Sequence, residues 1–146
     1  MNLNRRRYLL LGGVLLLLLM LPIYMEPAYA SPGGKKIEGS GTLHAVGAGI
    51  AILKGDGSVT VTGRGVGYVW IKGAETISAQ GEGRKFEYHG GTLFIGWRGT
   101  VHASGCGIEV HIGGAFIKFT ASGTGTAYLK GKGRYWVNGD LGGWTQ

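Results

Sequence analysis

Gly39-Ser-Gly41-Thr-Leu43-His-Ala45-Val-Gly47-Ala-Gly49-Ile-Ala51-Ile-Leu53-Lys-Gly55-Asp-Gly57-Ser-Val59-Thr-Val61-Thr-Gly63-Arg-Gly65 is the stretch whose reading decides the fold. A Gly-x-Gly pair begins at residues 39, 47, 55 and 63. Between the pairs stand two apolar residues of one parity: Leu43 and Ala45, Ala51 and Leu53, Val59 and Val61. Alternation with a period of two is the signature of a strand with one buried face. Related units recur as far as Gly139. No window places apolar residues at i, i+3, i+4 and i+7, and glycine at this density disfavours helix. The sequence therefore predicts an all-β domain.

Working outward, a loop at Gly55-Asp56-Gly57 sets Leu53 opposite Val59, Ala51 opposite Val61 and Gly49 opposite Gly63. Asp-Gly is a strong hairpin signal. Like residues also match across a loop at Gly73-Ala74-Glu75, a two-residue turn at Gly113-Gly114 and a turn at Gly131-Lys132-Gly133. Phe86, Tyr88, Leu93 and Ile95 are expected to pair across His89-Gly90-Gly91-Thr92. A connection at Trp97-Arg98-Gly99 then brings Ile95 to Val101. The inward set changes parity between Ala103 and Cys106, so Gly105-Cys106-Gly107 is read as a bulge, with Cys106 inward. These turns predict about seven antiparallel strands in meander order. The fold is a small flattened barrel or a corner-bent β-sandwich with Gly-x-Gly bends. The alternative is a β-solenoid, because a period of eight also suits stacked rungs.

Composition agrees with a packed domain. There are 31 glycines in 146 residues, yet only three prolines and 44% hydrophobic residues, which sets the chain apart from linkers and collagen. The net charge is +7. Cys106 is the only cysteine, which excludes an internal disulfide and a cysteine zinc site.

The N-terminus carries Arg5-Arg6-Arg7, an apolar run from Tyr8 to Leu21, and Ala28-Tyr29-Ala30. This order predicts that residues 1–30 are a signal peptide or, uncleaved, a hydrophobic helix serving as a membrane anchor. Either way the chain is exported, to the extracellular space or the cell surface. Residues 31–38 read as a flexible linker and 39–146 as the glycine-rich domain.

Chemistry-bearing patterns are sparse. The glycine runs lack the helix and Lys-Ser/Thr of a phosphate loop, and the repeats lack the aspartates of calcium-binding nonapeptides. His44 and His102 have outward parity. Glu109 and His111 form an outward i, i+2 pair without an evident third metal ligand. No nucleophile elbow or paired acids occur. No catalytic residue, metal site or cofactor is assigned, and an enzyme is not expected.

Three surfaces remain. Turns at one end of the meander collect Lys72, Arg98, Lys130, Lys132 and Arg134, a basic rim suited to anionic lipid or acidic polysaccharide. On the outer face Val46, Ile50 and Ile52 lie beside Val66, Tyr68 and Trp70, with Val46 opposite Val66. That patch serves self-association or docking to an envelope protein, or is covered by Leu141-Gly-Gly-Trp144. Glycines 47, 65 and 83 line up as a belt that either bends the strands or opens an internal groove. The expected function is a non-enzymatic structural or interaction module at the cell envelope. The alternative is a barrel binding a small ligand or carbohydrate. Nucleic acid is not expected.

Overall fold

The computed structural model describes residues 34–144. The segment read as signal or anchor lies outside them. The described part is all-β, with about 90% of it in strands. It comprises β1 (Lys35–Arg64), β2 (Tyr68–Lys72), β3 (Thr76–Tyr88), β4 (Gly91–Val137) and β5 (Asp140–Trp144). β1 begins inside the span read as a linker.

All five strands belong to one sheet built around β4. In every ladder the β4 numbers fall as the partner's rise, so the strands run antiparallel. On one side β1 pairs with β4 from Lys35–Leu129 to Arg64–Arg98. On the other side it pairs with β4 again, from Leu43–Val137 to Val61–Phe119. Leu43 thus faces both Ala121 and Val137, residues 16 apart. That offset is two of the eight-residue periods, so Gly-x-Gly meets Gly-x-Gly in both ladders: Gly39 and Gly55 each face Gly125, and Gly41 and Gly57 each face Gly123. β2 sits between two stretches of β4, with Ile71 facing both Thr92 and Val110. β3 and β5 each pair with β4 alone, and the sheet does not close.

This corrects the expected topology. There are five strands, not about seven, and they form neither a meander nor a closed barrel. Antiparallel ladders between distant segments also exclude the parallel rungs of a solenoid. Gly55-Asp56-Gly57 is no turn: it runs through the middle of β1, and the glycines at 113–114, 131–133 and 99 run through β4. The reason is their backbone. Gly55 and Gly57 have φ of 152° and 139°, an extended conformation that only glycine adopts readily and that continues a strand instead of reversing it. Residues 73–75 do connect β2 to β3, but Ile77 faces Ala103, not Ile71.

Two tight hairpins are present among the described residues. His89-Gly90 (φ 48° and 73°) joins β3 to β4, and Asn138-Gly139 (φ 51° and 95°) joins β4 to β5. Positive φ at both central residues suits the twist of the flanking strands. Across the first, Phe86 faces Leu93 and Tyr88 faces Gly91, two residues out of the expected register, because the expected four-residue loop His89–Thr92 is a two-residue turn.

The inward parity of β1 holds throughout. Leu43, Ala45, Ala51, Leu53, Val59 and Val61 join Val69, Ile71, Val101, Val110, Phe119 and Leu129 in one core cluster. Besides a slip opposite Ala48, where Gly47 faces Ile117 but Gly49 faces Gly114, two register slips adjust the long ladders. Glu82 faces Arg98 but Arg84 faces Ile95, so an extra β4 residue stands opposite Gly83. Beyond this slip Phe94 is the fully buried residue, while Leu93 is half-buried and Ile95 exposed. The second slip is the expected bulge: Gly55 faces Ile108 and Gly57 faces Gly105. Asp56 lies opposite the extra residue, and its Oδ1 accepts the N–H of Gly107 at 2.6 Å. Cys106 sits at the crest of the bulge and is exposed, not inward.

Candidate interaction surfaces

The pairing register fixes which outward side chains are neighbours. One row crosses the sheet from Lys36 through Tyr128, Ile52, His111, Trp70 and Leu93 to Phe86. The row beside it runs from Lys130 through Ile50, Gly113, Tyr68 and Ile95 to Arg84. Ile50, Tyr68, Ile95, Phe86 and Tyr88 on this face are all exposed, from 37% for Tyr68 to 51% for Tyr88. Neighbouring strands lie about 4.8 Å apart and same-face residues along a strand about 7 Å apart, so these side chains form one contiguous patch.

Ile50, Tyr68 and Trp70 are therefore in the patch. Val66 is exposed in the bend between β1 and β2. Val46 is not opposite Val66: it faces Lys118 and Arg134. Phe86, Tyr88, Leu93 and Ile95 are further members, which the sequence reading paired with one another but did not place in the outer patch. The alternation around them carried the signal, but without the slip at Gly83 it reads with the wrong parity. The C-terminal segment does not cover the patch. β5 extends the sheet beside residues 133–137, with Leu141 opposite Trp136.

Several contacts hold the patch rigid. The Trp70 indole N–H donates to the Tyr88 carbonyl at 2.7 Å, tying β2 to the hairpin. Trp70 also meets His111 edge-on, with ring centroids 4.9 Å apart. The Tyr68 ring lies over Gly113, where any Cβ would strike it.

Beside the aromatics, His111 Nε2 is 2.6 Å from Glu109 Oε1, and Lys54 Nζ is 3.3 Å from the same oxygen. Burial pushes the Glu109 carboxyl up, but its bonds to His111 and Lys54 outweigh this and leave it below its ordinary value. The third group at the Glu109–His111 pair is thus a cation. On the opposite outward rows, hydroxyls and imidazoles bond across strands: His44 to Thr120 at 2.8 Å and Thr60 to His102 at 2.9 Å.

The expected basic rim is not assembled. Lys130, Lys132 and Arg134 follow one another along β4, opposite Ile50, Ala48 and Val46. Lys72 faces Glu109, and Arg98 lies between Arg64 and Glu82. The turns that would gather them are continuous strand.

A groove does exist, but not at glycines 47, 65 and 83. Gly47 faces Ile117 and Gly133, and Gly83 packs against Trp97. The groove lies over Gly39, Gly41, Gly55, Gly57, Gly123 and Gly125, with a volume of about 250 Å³. Ile37, Leu43, Leu53, Val59, Ala121 and Val137 are among its apolar walls, and Asn138 stands beside it.

No family model matches this chain, and neither a curated protein nor a solved structure shows significant similarity to it.

Proposed function

We propose that this protein is an exported, non-enzymatic interaction module at the cell envelope, and that the aromatic face of its sheet is the contact surface. The observation that carries the reading is the contiguous patch of Ile50, Tyr68, Ile95, Phe86 and Tyr88, each more than a third exposed. Contiguous apolar surface of this kind marks interaction sites. The basic N-terminal start, apolar run and Ala-x-Ala ending support export. The glycine crossings support a sheet doubled over at its corners, which keeps the face broad and stiff.

The test replaces Phe86 and Ile95 with Ser. A contact face predicts weaker retention on a hydrophobic column with an unchanged unfolding midpoint. A loss of stability on the scale of a core truncation, about 2–5 kcal/mol, would place these side chains in the fold's interior energetics and remove the reading.

The groove favours a second reading, binding of a small apolar ligand or a carbohydrate over the glycine floor. A ligand held there raises the melting temperature progressively as its concentration exceeds its dissociation constant, and Ala121→Phe, which fills the groove, abolishes that rise. Stabilisation that persists in Ala121→Phe would place the ligand elsewhere.

A further inference from the structure

The charges around the aromatic face indicate what it meets. On the outward rows of this face stand Lys36, Lys54, Lys72, Arg84 and Lys130, against Glu38 and Glu109. Glu38 is bonded by Lys36, and Glu109 by Lys54 and His111. The remaining excess, Lys72, Arg84 and Lys130, borders the aromatics on both ends of the adjoining rows. A second copy stacked on this face would bring one positive ring against another, which disfavours self-association here. The complementary partner is anionic.

The chain path gives the second observation. The first described strand opens at Lys35-Lys36, and Lys36 begins the aromatic row itself. Nine residues separate Lys35 from Met25, the end of an 18-residue uncharged stretch that starts at Tyr8. Nine residues reach at most about 30 Å. A bilayer holding the apolar stretch is therefore within reach of this edge of the face. Tyr and Trp, with apolar bodies and polar tips, suit the head-group layer, and flanking Lys and Arg suit acidic head groups.

We propose that this face rests on the anionic surface of a lipid bilayer, with Tyr68, Phe86, Tyr88 and Ile95 among the head groups and Lys72, Arg84 and Lys130 on acidic phosphates. The proposal depends on the reading of the face as a contact surface and names its partner.

Among the described residues the core cluster and its packing partners lie between Ile37 and Val137, and Pro32–Gln146 is a compact unit by itself, so residues 32–146 are tested without the apolar run. Phosphatidylcholine vesicles are prepared with and without about a third phosphatidylglycerol, and binding is read by co-sedimentation and by quenching from brominated lipid. Anionic vesicles should bind at least about tenfold more strongly than neutral ones, and less so at high salt. Tyr68→Ser with Phe86→Ser and Tyr88→Ser should lose about tenfold or more. Lys72→Gln with Arg84→Gln and Lys130→Gln should abolish the salt dependence. Ile50→Glu with Ile95→Glu is a second probe that leaves Tyr68 over Gly113, and it should also release the vesicles. Absent binding, or binding equal in the aromatic variants, overturns the proposal. If wild type does not bind lipid but self-associates through the face in light scattering, the contact surface stands and its partner is a second copy. If the aromatic variants match wild type in both experiments, both readings fall.

Discussion

Gly57 and Gly123 stand opposite each other in the β1–β4 ladder, and the backbone of the facing strand leaves neither room for a Cβ. A Cβ on Gly57 would sit against the carbonyl oxygen of Ser122, and a Cβ on Gly123 against that of Asp56. Their φ angles are 139° and 144°. Alanine at either position is expected to cost at least about 1–3 kcal/mol from backbone strain alone, with the steric clash added. Gly39→Ala is the control: its φ is similar, at 143°, but nothing lies within 4 Å of an added Cβ. Urea unfolding of the three variants should show a distinctly smaller loss for Gly39→Ala. Equal losses would mean that neighbour contact is unimportant at the crossings.

Asp56 fastens the bulge at residues 105–107 through its bond to the Gly107 N–H. Asp56→Ala should lower stability by about 1–2 kcal/mol, whereas Asp56→Asn keeps an acceptor and should lose less. Amide exchange at Gly107 provides the local readout. If exchange there is as slow in Asp56→Ala as in wild type, the bulge does not rely on this side chain.

Asn138 serves two purposes. Its φ of 51° helps turn β4 into β5, and its Oδ1 accepts the Thr42 N–H at 2.9 Å, 96 residues away in sequence. Asn138→Gly preserves the turn and removes only the side-chain bond; Asn138→Ala disturbs both. We expect the Ala variant to melt lowest, with the Gly variant between it and wild type and a spread of about 1–2 kcal/mol. Thermal unfolding monitored by circular dichroism orders the three.

Glu109 makes stability depend on acid. Its folded-state carboxyl is held below the ordinary value, so its stabilising contribution is complete above the unfolded carboxylate value, near 4.3. The contribution is lost as pH falls through the lower folded value. Because the side chain is 26% exposed, the contribution is small, about 1 kcal/mol or less. Glu109→Gln should therefore lower the melting temperature slightly at neutral pH and make its decline between about pH 5 and 3 shallower. Parallel melting curves for both proteins across that range would contradict this.

The strand content and the inward parity of β1 were legible because alternation is set by each residue's own side chain. The partners were not, for a reason inherent in the repeat. Sliding one strand by eight residues leaves Gly opposite Gly and apolar opposite apolar, so Leu53 matches Val59 across a local turn as well as it matches Ala127 and Val110 in the structure. Gly55 and Gly57 do not break the tie, since positive φ serves both turns and mirror-extended strand. Asn138-Gly139 would have helped, being the strongest local hairpin signal in the chain. In the candidate site, Ile50, Tyr68 and Trp70 were found because the β1 and β2 parities are simple. Phe86 and Ile95 were missed because their parity depends on the slip opposite Gly83, which only the tertiary pairing specifies.

The distant pairing of β1 also governs when the domain can form. Its nearest partner in sequence is the Arg64–Arg98 pair, and its farthest lie beyond residue 130. Among the described residues the first strand is thus completed by the end of β4, and only the short hairpins at His89 and Asn138 close locally. Such topology folds slowly, because long loops must close before any contact rewards them. A chain interrupted before residue 130 lacks the partners that cover Leu43 to Ile50 in the second ladder, so the order of synthesis itself delays folding of the sheet until residues 130–137 have been made.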